Sequence, residues 1–107
     1  MTMDAVFKAL ADPVRRQLLD ALHKRNGQTL GELCEGRGMT RQAVTKHLAV
    51  LEGAGLVATE RRGREKLHYL NPVPIQEIAD RWIGKYERGR VAALTELKRR
   101  IEGETDA

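Results

Sequence analysis

The sequence predicts a mainly α-helical fold carrying one small β-hairpin. Three observations lead there. Apolar residues recur at spacings of three and four along most of the 107 residues, the signature of amphipathic helices. Caps and breakers cut that pattern into separate pieces: Asp12-Pro13, Asn26-Gly27, Thr29, Thr40 and the run Gly53-Ala54-Gly55. Between residues 56 and 70 the helical spacing lapses, and two short segments flank the turn Arg62-Gly63-Arg64-Glu65.

The first helix is expected over residues 3–11, with Val6, Phe7 and Leu10 on one side. Asp12 then supplies an N-cap and Pro13 the first helical position. The second helix runs over residues 13–24, burying Val14, Leu18, Leu19 and Leu22, and stops at Asn26-Gly27. Thr29-Leu30-Gly31-Glu32 has the capping-box pattern, a hydroxyl at the cap and a carboxylate three residues on. It opens a short third helix with Leu30, Leu33 and Cys34 inside, broken by Gly36-Arg37-Gly38. Thr40 caps the fourth helix, which ends at the Gly53-Ala54-Gly55 stretch. Two short helices joined by a glycine-containing turn form a helix-turn-helix pattern.

Residues 56–61 and 66–70 are the expected strands, with Leu67 and Tyr69 on one face and Gly63 free to take positive φ in the turn. Asn71-Pro72-Val73-Pro74 ends the second strand. Residues 75–102 then read as one long helix. Ile75, Ile78, Trp82, Tyr86, Gly89, Ala93, Leu97 and Ile101 form its stripe, too long for so small a domain to bury. Its distal half is expected to meet another subunit. Gly84 and Gly89 each weaken an isolated helix by about 0.5–1 kcal/mol relative to alanine; Gly89, on the stripe, reads either as a point of close helix approach or as a flexible point.

The fourth helix carries the chemistry. Val44, Leu48 and Leu51 point inward, while Arg41, Gln42, Thr45, Lys46 and Ala49 fall on the other side. That outer face has no large apolar group and carries side chains able to bond phosphates and base edges. The charge distribution agrees. Of the net +4, all resides between Arg37 and Lys66, where seven bases meet three acids; the remaining bases and acids cancel. A basic patch on a neutral background is the electrostatic footprint of a nucleic-acid binder.

Composition excludes other classes. Aromatics make up only 4% of the chain, so the core must be Leu, Val, Ile and Ala; small domains of this kind often gain stability by oligomerising. One cysteine, Cys34, excludes an internal disulfide and fits a reducing compartment. No apolar run approaches the ~18 residues of a membrane span, and the first ten residues lack a signal-peptide layout. The expectation is a cytoplasmic, soluble protein with no membrane partner and no cofactor. No Ser/His/acid or Cys/His arrangement and no phosphate-cradling glycine loop suggests an enzyme. His23, His47 and His68 are scattered without metal-ligand spacing, His47 reading as a packed or capping side chain.

Three motifs in order resemble the ArsR-type winged helix-turn-helix transcriptional repressors. They are Phe7-Lys8-Ala9-Leu10-Ala11-Asp12-Pro13-Val14-Arg15-Arg16; then Val44-Thr45-Lys46-His47-Leu48-Ala49-Val50-Leu51 with Ala54-Gly55-Leu56-Val57; then Gly63-Arg64 followed by Tyr69-Leu70-Asn71-Pro72. The resemblance spans residues 4–100. It implies four helices, a two-stranded wing and a final helix. It implies a homodimer that binds operator DNA and represses its own operon. Residues 1–11 and 73–102 would be dimerisation helices around a helix-turn-helix and wing over residues 12–71, all within one domain. Metal-sensing members use thiols on the third helix, or histidines and acids on the last. Here the aligned thiol positions are Thr29 and Gly31, and the last helix has no histidine, so no metal site is expected. The signal is left open between a small molecule, a protein effector and none.

The residue roles follow. Thr40 caps the recognition helix; Arg41 suits guanine, Gln42 adenine and Thr45 a thymine methyl, with Lys46 on the same outer face. Arg61, Arg62, Arg64 and Lys66 belong to the wing, reaching phosphates or an adjacent minor groove. The dimer interface is assigned to Val6, Phe7, Leu10, Trp82, Tyr86, Gly89, Ala93 and Leu97. The rival reading is a winged-helix protein-interaction module, which the cationic, amide-bearing outer face of the fourth helix disfavours.

Overall fold

The computed structural model of the chain describes residues 2–83 and 88–105. These contain six α-helices, one π-helical turn and a two-stranded antiparallel hairpin: α1 (Met3–Leu10), α2 (Pro13–Lys24), α3 (Leu30–Cys34), α4 (Arg41–Gly53), β1 (Val57–Arg62), β2 (Glu65–Leu70), α5 (Val73–Ile78), the π turn (Ala79–Ile83) and α6 (Arg88–Thr105). They fall into two compact units, Met1–Gln76 and Glu77–Ala107.

In the first unit, local chemistry sets each helix start. Thr2 accepts from the Ala5 N–H at 3.2 Å and opens α1. Asp12 accepts from the Val14 and Arg15 N–H groups at 2.8 and 3.1 Å and opens α2, with Pro13 at its first position. At α3 both halves of the capping box close: Thr29 Oγ1 accepts from the Glu32 N–H, and Glu32 Oε1 accepts from the Thr29 N–H. Thr40 Oγ1 accepts from the Ala43 N–H at 3.1 Å to open α4. Each cap satisfies donors that the first helical turn leaves without intrahelical partners.

The apolar faces meet in one core. Leu18 and Leu22 of α2, Leu33 of α3, Val44 and Leu51 of α4, and Leu56 before β1 are its fully buried large side chains. Leucine and valine fill the interior, as the low aromatic content requires. Cys34, expected inside α3, is only half-buried. Val14 and Leu30 are also half-buried.

The hairpin pairs Val57 with Leu70 and, at its tip, Arg62 with Glu65. The strands therefore run one residue further than expected at the tip, leaving a two-residue turn, Gly63-Arg64. Gly63 takes φ +60°, a conformation that glycine adopts without a Cβ penalty in such tight turns. At the hairpin base, Gln28 and His68 form an isolated bridge. Tyr69 lies over Gly27, where a Cβ would stand 3.3 Å from the tyrosine oxygen.

The expected single helix over residues 75–102 is not one α-helix. Its first part is α5 followed by the π turn, in which the backbone bonding widens to i→i+5. A spacing rule of three and four tolerates one such wider turn, so apolar periodicity did not reveal it. Gly84 and Tyr86 lie outside the described residues. On α6 the exposed large apolar side chains are Val91, Leu94, Leu97 and Ile101. Their spacing is helical; Ala93 borders this stripe, and Gly89 lies towards the opposite face.

Candidate nucleic-acid interface

α4 has the two faces its sequence foretells. Val44, Leu48 and Leu51 are buried, while Arg41, Gln42, Thr45, Lys46 and Ala49 are exposed. The capped N-terminus is exposed as well. Its unpaired N–H groups and the positive end of the helix dipole favour a phosphate there. Thr45 has a more specific arrangement: its hydroxyl donates to the Arg41 carbonyl oxygen at 2.7 Å. That bond takes the hydroxyl proton, leaving the oxygen able only to accept.

Arg41 runs alongside the start of α3, its Nη1 3.8 Å from where a Cβ on Gly31 would be. A cleft of about 380 Å³ joins this corner to the hairpin tip, lined by Arg41, Arg64 and Lys66 together with Thr29 to Gly31 and Glu65. Arg61, Arg62 and Arg64 are exposed. The structure thus brings Arg41 of α4 together with Arg64 and Lys66 of the hairpin at one cleft in the first unit, while Lys46, Arg61 and Arg62 stand exposed outside its lining.

Two assigned positions have partners or burial within the protomer. Lys66, read as a wing contact for DNA, has its Nζ 3.1 Å from Glu52 Oε1 on α4. It thus has a carboxylate partner on α4 while keeping 48% of its side-chain surface exposed. Val6, read as an interface residue, is 4% exposed in its own protomer and belongs to that core, whereas Phe7 is 45% exposed and Leu10 half-buried. The other assigned positions divide simply. Trp82 is 38% exposed with Arg81 stacked 5.5 Å from its ring centre, Leu97 is 52% exposed, and Gly89 and Ala93 are exposed.

Sequence reading missed the supports behind α4. Arg15 of α2 donates through Nε to the Ala9 carbonyl at 2.8 Å and through Nη2 to the Lys8 carbonyl at 3.0 Å. Its Nη1 reaches Nδ1 of His47 at 3.3 Å; a guanidinium only donates, so Nδ1 accepts. His47 Nδ1 also lies 3.9 Å from Asp12 Oδ1. One cluster therefore joins the end of α1, the cap of α2 and the inner edge of α4. The backbone N–H of Arg15 holds the Asp12 carboxyl below its usual range, aided by the Val14 N–H and by the charge of Arg15. At α3, Arg25 Nη2 lies 2.7 Å from Glu32 Oε2. The Glu32 carboxyl is held low first by the Thr29 N–H, then by the Thr29 hydroxyl and Arg25. Among the described residues, no three His, Cys, Asp or Glu side chains converge as a metal site would need, and no helix is long and apolar enough to cross a membrane.

A helix-turn-helix with a capped, polar recognition helix and an arginine-bearing hairpin beside it defines a winged helix-turn-helix DNA-binding protein. Comparison with known proteins narrows the class. A helix-turn-helix domain family matches residues 10–60. The chain is 44% identical over 86 residues to the uncharacterized HTH-type transcriptional regulator YuzN of Bacillus subtilis, covering 75% of this chain and 94% of that protein. It is 33% identical over 75 residues to the transcriptional repressor SdpR of Bacillus subtilis, covering 70% and 82%. Among solved structures, an ArsR-like transcriptional regulator from Rhodococcus sp. RHA1 superposes with a TM-score of 0.69 at 30% identity, covering 89% of this chain and 91% of that one. The chain belongs to the ArsR-type winged helix-turn-helix transcriptional regulators, a class of DNA-binding proteins rather than enzymes.

Proposed function

We propose that this regulator is a homodimeric repressor of its own operon, acting in the cytoplasm on an inverted-repeat operator. One observation carries the reading of the interface. Arg41, Gln42, Thr45 and Lys46 share the exposed face of α4, and Arg61, Arg62 and Arg64 stand exposed on the hairpin beside it. Arg41 and Gln42, near the start of α4, are suited to bidentate contacts with guanine and adenine. The Thr45 methyl is suited to thymine. Lys46 and the wing arginines are suited to phosphates and the adjoining minor groove.

Pairing of two copies is supported by apolar exposure on α1 and α6, at Phe7, Val91, Leu94, Leu97 and Ile101. Exposed apolar stripes of this kind mark contact surfaces. Two recognition helices set about 34–36 Å apart would meet major grooves one duplex turn apart, hence the inverted repeat.

The test is selection of bound duplexes from a random pool, followed by titration of the best duplex at several salt concentrations. The expected result is a two-fold symmetric consensus and a log–log salt slope of about −6 to −10. A flat slope or an asymmetric single half-site would overturn the dimeric-operator reading.

A further inference from the structure

We propose that Glu52 is a positioning residue of the DNA interface: through Lys66 it holds the wing at a fixed distance from α4. The inference rests on the reading that the wing meets DNA.

Three observations converge. The first is the ion pair itself, Lys66 Nζ to Glu52 Oε1 at 3.1 Å, from β2 to the last turn of α4. The second is the state of that oxygen. Glu52 Oε1 is shielded from solvent, and the Lys66 ammonium 3.1 Å away is the charge set against it, while the Glu52 side chain as a whole keeps 29% of its surface exposed. The third is the absence of packing at this level. Residues 58–66 of the hairpin are all exposed, and burial begins at Leu67 and His68. Between α4 and β2 lies a cleft of about 360 Å³, with Leu48 and Ala49 on one side, His68 on the other, and Glu52 and Lys66 at its edge. No side chain fills that space. A two-stranded hairpin has little stability of its own, so beyond Leu67 the wing leans on a strut rather than on a packed face.

The proposal has a sign that simple electrostatics does not share. A carboxylate beside a DNA surface repels phosphates, so charge alone predicts that Glu52→Gln tightens binding. A strut predicts loss of the wing contacts instead.

The experiment uses the full chain and a selected duplex. Hydroxyl-radical footprints and affinities are compared for wild type, Glu52→Gln, Lys66→Met, Lys66→Arg and the double variant Glu52→Gln/Lys66→Met, with circular dichroism melts confirming that each is folded. The expected result for Glu52→Gln and Lys66→Met is loss of wing-side protection, retained α4-side protection, and affinity reduced about 2- to 5-fold, the scale of a partly exposed pair. The double variant should be no worse than either single one, because the two residues act as a unit, and Lys66→Arg should keep the protection. Wing-side protection that survives Glu52→Gln, or losses that add in the double variant, would overturn the strut. Absence of wing-side protection in the wild type would overturn the interface reading and the strut with it.

Discussion

The imidazole Nδ1 of His68 and the backbone N–H of the same residue both meet the carbonyl oxygen of Gln28, at 2.9 and 2.8 Å. Two donors from β2 thus converge on one acceptor in the loop before α3, and the Gly27 N–H returns a bond to the His68 carbonyl at 2.8 Å. The Gln28 side chain works the other way. Its Nε2 donates to the carbonyls of Ala21 and Arg25 at 2.9 and 2.8 Å, closing the end of α2. Gln28 and His68 are 7% and 3% exposed. The base of the wing is therefore tied to the α2–α3 loop by buried polar groups with their bonds made.

Gln28→Ala removes a buried donor: the Ala21 carbonyl keeps the Arg25 N–H, and the Arg25 carbonyl loses the Gln28 amide. The expected cost is about 1–3 kcal/mol of folding stability, read from urea denaturation at neutral pH. A change of a few tenths would mean that water replaces the amide.

Acid should unfold the protein through its caps. Glu32 and Asp12 are held below their ordinary values of 4.5 and 3.8 by the Thr29 and Arg15 N–H groups. A carboxyl depressed in the folded state binds its proton first in the unfolded chain. Its stabilisation is thus complete above the ordinary value and is lost as pH falls through the lowered folded one. Glu32→Gln keeps the capping geometry without the titration. Urea midpoints followed below about pH 5 should fall less steeply for this variant than for wild type; parallel curves would show that the acid limb has another origin.

The caps and the two faces of α4 were legible because they are local. Asp12 precedes Pro13, Thr29 stands three residues before Glu32, and Val44, Leu48 and Leu51 repeat at helical spacing. The supports were not legible. Lys66 reads as one more wing cation until folding sets Glu52 beside it. His68 reads as one of three scattered histidines until folding sets Gln28 against it. Val6 reads as an interface residue until α2 and α4 close over it. Each depends on a neighbour distant in sequence, and a periodicity argument contains no such neighbour.

Thr45 gives a test of what α4 reads. Its hydroxyl proton is taken by the Arg41 carbonyl, and the methyl is the group proposed to meet a base. Thr45→Val should bind the selected duplex as wild type does. Thr45→Ser should lose about 1 kcal/mol, confined to one base position. Equal losses for both variants would return the role to the hydroxyl.

Base contacts and backbone contacts should separate in a binding-site selection. Gln42→Ala is expected to relax preference at one position of each half-site at a cost of about 1–3 kcal/mol. Arg64→Ala should weaken all sequences alike and lower the salt slope by about 1 per site. Identical profiles for the two variants would show that this division of roles is wrong.

The α6 stripe is open to a direct measurement. Leu94 is 67% exposed, so Leu94→Glu strains nothing within the protomer but places a charge on the proposed subunit contact. Analytical ultracentrifugation should show a shift from dimer toward monomer with the melting of the first unit unchanged. A dimer of unaltered affinity would move the interface elsewhere.

The cluster around Arg15 has a consequence for how α1 behaves in time. With eight residues, α1 has only about two turns, too few to persist by itself. Arg15 bonds the Lys8 and Ala9 carbonyls, and Arg16 Nη1 bonds that of Leu10 at 2.7 Å. The last turn of α1 is thus finished by side chains of the helix that follows it. Hydrogen exchange of the α1 amides should then report how often Arg15 and Arg16 let go. A loss-of-function screen should find both arginines, each acting as the latch of a segment it does not belong to.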